Sequence, residues 1–132
     1  MLHPATLKQF EDLKRRCPNA EFMELPSGAG LVTMPSFKLP GGWNRPETCV
    51  WFVVPVGYPG PYPDCFWASL GLRLANGQMP QATGEPNQIP ETNLTELWFS
   101  WHVVDQQANW NPNRDDLSTY VAVIAERFRR LQ

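Results

Sequence analysis

Apolar positions recur along this chain in two different rhythms. In "ATLKQFEDLKRRC" (5–17), Leu7, Phe10, Leu13 and Cys17 fall on one helical face and charged residues fill the rest. Thr6 and Gln9 have the spacing of a capping box, and Pro18 ends the helix. At the far end, Leu117, Tyr120, Val121, Ile124, Phe128 and Leu131 repeat the helical spacing. Asp115 and Asp116 precede that helix and Arg127, Arg129 and Arg130 close it, so both charge signs complement its dipole.

Between the helices the rhythm shortens. Strands are predicted over residues 20–27, 30–40 and 47–55, joined by the Gly-rich link 28–30 and the turn "GGWNRPE". Such short links suit an antiparallel meander. In "CVWFVV" both alternating faces are apolar, which predicts a central strand covered on each side, with Cys49 in the core. Pro59, Pro61 and Pro63 exclude regular helix and central-strand pairing, so "VGYPGPYPDCFWA" should run as a rigid, extended connection. It leads into a short fourth strand at 65–70. Residues 71–93 read as a long irregular loop, a length that is often functional. Residues 94–104 are apolar again but fit a short helix or a strand equally. The expected class is α+β, a four-stranded antiparallel meander with a helix from each end of the chain packed against it.

Composition narrows the function classes. At 132 residues the chain reads as a single domain, 1–132. The net charge of −2 gives no basic field for nucleic acid. No apolar run reaches the ~18 residues of a membrane span, and the start of the chain lacks the pattern of a secretion signal, so a cytoplasmic location is expected with no membrane partner. Cys17, Cys49 and Cys65 form neither a CxxC pair nor a disulfide framework. The 14 prolines are about twice the usual ~5% share and must punctuate a folded chain.

Two motifs, in this element order, resemble the ubiquitin-conjugating (UBC) fold. Tyr58-Pro59-Gly60-Pro61-Tyr62-Pro63 fills that family's Tyr-Pro-x-x-x-Pro signature after the third strand, and Trp110-Asn111-Pro112 fills its Trp-x-Pro before a helix. The departures are specific. The conjugating enzymes carry their cysteine eight residues before this tryptophan, and here that position is His102. No cysteine follows Cys65, and the His-Pro-Asn turn is missing. Pro63-Asp64, Phe66-Trp67, "LRLANG" (72–77), Ser100-Trp101-His102, Trp110-Asn111-Pro112 and Asp116-Leu117 are similar to the pattern of a divergent bacterial branch, the prokaryotic conjugating-enzyme-like family E. The resemblance implies a transferase of a bacterial ubiquitin-like conjugation system. Its partners would be a ubiquitin-like modifier and an activating enzyme, and it would need no cofactor. It equally implies the alternative of a non-catalytic variant that only binds them. An α+β interaction domain unrelated to ubiquitin is the third reading.

Carrying a modifier as a covalent intermediate requires a nucleophile, because acyl transfer is split into two easier steps through it. His102 can serve as general base or as a nucleophile forming an acyl-imidazole; otherwise it is a half-buried structural imidazole. Cys65 follows the Pro-rich connection and could restore thiol chemistry with His102 drawing its proton, or it could be a small core residue. Ser100 would share a face with His102 on an extended chain and could carry an oxyester, or its hydroxyl could simply bond the backbone. Asp105 could orient His102 or an incoming amine, or cap a turn. Tyr58, Pro59, Trp110 and Pro112 are expected to position the loop or the modifier. His102, Asp105 and Cys65 have no recognised metal-site spacing.

Overall fold

The computed structural model describes residues 4–101 and 110–132. Helix α1 spans Pro4–Arg16. Strands follow as β1 (Glu21–Glu24), β2 (Gly30–Lys38), β3 (Glu47–Val54), β4 (Phe66–Ala68), β5 (Thr83–Gln88) and β6 (Thr95–Phe99), and α2 spans Leu117–Arg129. The strands form one antiparallel sheet in the order β1-β2-β3-β4-β6-β5. The class is α+β, with six strands among the described residues in place of the four expected.

The two added strands come from the stretch predicted to be irregular and from the segment whose rhythm was ambiguous. The β5 sequence, TGEPNQ, has no apolar alternation, and its exposure is mixed. It pairs only with β6, and its register slips between Gly84 and Asn87 around a cis Glu85–Pro86 bond. An edge position and a bulge are where a strand tolerates proline. In β6, Leu97 and Phe99 join the helix-side core while Trp98 packs on the other face. With both faces apolar, no alternation marked it as a strand.

Strand β3 is central, as its sequence requires. Val50, Phe52 and Val54 face the helices, and Trp51, Val53 and Cys49 face away. On the helix side, Phe128 of α2 meets Phe37, Trp43, Phe66 and Phe99, with ring centroids 5.5–5.6 Å apart. On the other side Trp51 pairs with Trp67 and Trp67 with Trp98 across β3, β4 and β6. Among the described residues, no helix packs on that row. The β1–β2 turn and the β5–β6 turn bring Leu25, Ala29 and Ile89 onto it. Ser27 ties the turns together by donating its N–H and hydroxyl to the Glu91 carboxylate, at 2.8 and 2.6 Å.

Both helix ends differ in detail from expectation. Helix α1 already runs at Pro4, a residue suited to a first helical turn, so Thr6 is not a cap but a buried residue inside the helix. Gln9 instead accepts a hydrogen bond from the Tyr58 hydroxyl. Helix α2 is capped by Asp116, whose side chain accepts from the Thr119 N–H while Thr119 reaches back to the Asp116 N–H. It ends at Arg129, so Leu131 leaves the stripe and lies half-exposed against Gly42. A Cβ on Gly42 would stand 2.4 Å from Leu131, at a φ of +106° that favours glycine in any case. The Pro-rich connection is also turned rather than extended. Tyr58 N–H donates to Pro55 and Gly60 N–H to Gly57, around a cis Tyr58–Pro59 bond.

The "LRLANG" motif is a structural knot. Leu72 and Leu74 are buried in the helix-side core. Arg73 between them pairs with Glu85, whose carboxylate also accepts the Gly71 N–H at 3.1 Å. The Arg73 hydrogen bond holds the Glu85 carboxyl below its usual 4.5, against the opposing pull of desolvation. A carboxyl lowered on folding stabilises above its unfolded pKa and loses that contribution as pH falls through the folded value. Glu85→Gln is therefore expected to be less stable than wild type at pH 7, with the gap closing on acidification below about pH 4.5. Urea unfolding at several pH values measures this.

Candidate functional site

The expected loop-positioning residues come together at the N-terminal end of α2. Tyr58 is buried, and Trp110 packs against it at 6.1 Å and stacks on Tyr62 at 5.4 Å with the planes 20° apart. Tyr58 and Tyr62, on either side of Pro59–Pro61, thus both reach one indole. Burial, then the charges of Asp116 and Asp115, push the Tyr58 hydroxyl upward, so it stays a neutral donor to Gln9.

After Trp110 the chain turns tightly into α2. Asn111 accepts the Asn113 N–H on its side chain at 2.9 Å and donates its own N–H to Asp115 at 2.8 Å, while its carbonyl accepts from Arg114 and Asp115. Pro112 is exposed within this turn. The Arg114 guanidinium, helped by the Asn111 N–H, holds the Asp115 carboxyl below its usual range. Asp116 then caps the helix.

The opposite end of α2 holds Trp101. The guanidinium carbons of Arg127 and Arg130 each stand 5.2 Å from its ring. Arg127 is fully buried, and its nitrogens donate to the carbonyls of Arg130, Gln81 and Gln132, each at 3.0 Å. The indole N–H groups of Trp101 and Trp110 are both buried without a hydrogen-bond partner among the described residues. Thus Trp101 and Trp110 are fixed at opposite ends of a 13-residue helix, roughly 20 Å long by helical rise. His102 and Asp105 belong to the segment 102–109 and lie outside the described residues.

Phe66 pairs with Phe99 at the end of the β4–β6 ladder, and Cys65 and Ser100 each lie one residue beyond that pair, just outside the two strands. Ser100 donates its N–H to Ala82 at 2.8 Å on the β5 side. Cys65 packs with Trp67 and Trp98 on the face away from the helices, whereas Tyr58 and Trp110 pack on the helix side. Burial pushes the Cys65 thiol upward, the Trp98 hydrogen bond opposes this, and Asp64 adds to the rise. Cys49 is raised to about 11, first by burial and then by Glu96. At pH 8 that leaves about one Cys49 in a thousand as thiolate. Iodoacetamide at this pH is expected to modify Cys49 and Cys65 more slowly than a free thiol, as read by peptide mass mapping. Rapid labelling of Cys65 would show an activated nucleophile.

Arg127 and the Arg73–Glu85 pair are structural residues of the site's surroundings that pattern reading passed over. Arg127 carried a signal, because it falls on the buried stripe of Tyr120, Ile124 and Phe128. Among the described residues, no group of three His, Cys, Asp or Glu side chains is placed to hold a metal ion. None of the described helices is long and apolar enough to cross a membrane.

Residues 13–130 match a family described as prokaryotic E2 family E. No curated protein and no solved structure gives a significant match.

Proposed function

The chain belongs to prokaryotic E2 family E, and from this premise we propose that it accepts a ubiquitin-like modifier from an activating enzyme and passes it to a target in the bacterial cytoplasm. The observation that supports this most is the frame around segment 102–109. Trp101 is held by two arginines at one end of α2, and Trp110 is stacked on Tyr62 and Tyr58 at the other. The two residues that flank segment 102–109 are thus both anchored, and acyl transfer needs its reacting groups fixed in place.

In the proposed reaction the modifier's C-terminal acyl group leaves a thiol of the activating enzyme and bonds to a nucleophile here. A target amine then attacks the acyl carbon and releases that nucleophile. His102 either attacks directly or takes the proton from Ser100 or Cys65, and Asp105 orients it. Tyr58, Pro59, Trp110 and Pro112 position the loop.

The raised Cys65 and Cys49 thiols favour a second reading, a module that binds the modifier or its activating enzyme without a covalent bond. The full chain, incubated with activating enzyme, ATP and modifier, separates the two by intact mass. An adduct lost in one of His102→Ala, Ser100→Ala or Cys65→Ala locates the bond, and hydroxylamine sensitivity types it. No adduct alongside a stable complex supports the binding module.

A further inference from the structure

A groove of about 390 Å³ opens on the opposite flank of α2, away from the Trp101 and Trp110 anchors. Its floor is apolar: Cys17 at the end of α1, Met34 and Phe37 of β2, and Val121 and Ala125 of α2. The groove follows from a defect in the sheet. Between the Met34–Val50 and Phe37–Thr48 pairs, two residues of β2, Pro35 and Ser36, stand against Cys49 alone. Such a bulge bends its strand, and here Pro35 and Ser36 become part of the groove wall.

The charge of the groove is one-sided. Arg16 and Lys38 lie on its rim and, among the described residues, no acidic residue lines it, although the chain has 13 acidic residues against 11 basic ones. Arg16 is exposed and has no ion-pair partner among the described residues. Lys38 contacts Glu47 at 2.7 Å, but its side chain remains 82% exposed. Lys14 and Arg15 precede Arg16 on the last turn of α1, with Arg15 paired to Asp12 at 2.8 Å.

We propose that this groove docks a short acidic and apolar peptide segment of a partner protein. The segment would seat one or two bulky apolar side chains between Arg16 and Lys38, with its carboxylates beside those cations. A small-molecule site would present convergent buried polar groups. The polar lining residues here, Asn19 and Ser36, are exposed instead. An apolar floor with a charged rim is the anatomy of a protein-docking surface. The volume suits a few side chains, and the rim selects their flanking charge. This inference is independent of the transfer role and stands or falls by itself.

The test uses the full chain and two fluorescein-labelled peptides, Asp-Glu-Leu-Phe-Glu-Asp and its counterpart with every acid replaced by Lys. The acidic peptide is expected to bind at least about tenfold tighter in low salt, and the preference should shrink as salt rises. Ala125→Phe, which fills the floor, and Arg16→Glu, which alters only an exposed rim charge, should each weaken it by about tenfold or more. The bound acidic peptide should also slow iodoacetamide modification of Cys17 while leaving Cys49 unchanged. Equal affinity for both peptides overturns the proposal. So does binding that survives Ala125→Phe and Arg16→Glu in protein with an unchanged circular dichroism spectrum. Dimerisation of the wild type that Ala125→Phe abolishes also overturns it, by assigning the groove to a second copy of this chain.

Discussion

Phe128→Ala is expected to lose about 3–5 kcal/mol of folding stability, the usual cost of truncating a buried phenylalanine. Its ring is fully buried and meets four other rings, from β2, the turn at Trp43, β4 and β6. Those partners come from four separate segments, so the cavity cannot close by moving one side chain. Trp43 would lose a face of its packing while its N–H stays bound to the Phe128 carbonyl at 2.8 Å. Phe128→Leu keeps much of the volume and should cost less. Urea unfolding followed by far-ultraviolet circular dichroism measures both. A loss below about 1 kcal/mol for Phe128→Ala would mean that the site collapses freely.

Arg127→Ala is the second large effect, expected at about 3–5 kcal/mol, from the lost packing of a fully buried long side chain together with the hydrogen bonds of its charged group. The guanidinium has three main-chain oxygens as partners and the rings of Phe99 and Trp101 beside it. Burial, aided by the nearby Arg130 charge, lowers its pKa to about 10. A cation lowered in this way is disfavoured by folding, so its value lies in the hydrogen bonds and packing it makes. Arg127→Met tests that division. It keeps the packing but removes the guanidinium from the oxygens of Gln81, Arg130 and Gln132, of which Arg130 keeps the Gln132 N–H and Gln132 the Gln81 N–H, and should recover part of the loss at a residual cost of about 1–3 kcal/mol. Near-ultraviolet circular dichroism should change in both variants, because Trp101 loses the guanidinium over its ring.

What the sequence reveals here depends on whether a residue's neighbours share its rhythm. Helix α2 is legible because Leu117, Tyr120, Ile124 and Phe128 keep helical spacing and Asp116 is a strong cap. Strand β3 is legible because its two apolar faces match the two cores that cover it. Strand β5 is hidden because Gly84 and Pro86 contradict strand propensity and its stability comes from pairing with β6. The turned path at Tyr58 is held by the Tyr58–Pro55 and Gly60–Gly57 main-chain hydrogen bonds, which the run of prolines does not announce. At the candidate site, the Tyr-Pro and Trp-Asn-Pro motifs contain Tyr58 and Trp110, but their packing against each other is a feature of the fold and not of the motifs. Tyr62, which completes the stack on Trp110, was visible only as part of that motif. The burial of Arg127 was masked by its charge, which reads as a helix-end residue. The placement of Cys65 and Ser100 just beyond the Phe66–Phe99 pair required the β4–β6 register, which follows only once residues 95–99 are known to be a strand.

The transfer role is tested most directly by the intact mass of the full chain after incubation with its activating enzyme, ATP and the modifier. An increase equal to one modifier, absent without ATP or without the activating enzyme, is the predicted result. An unchanged mass while the activating enzyme itself carries the modifier would contradict it.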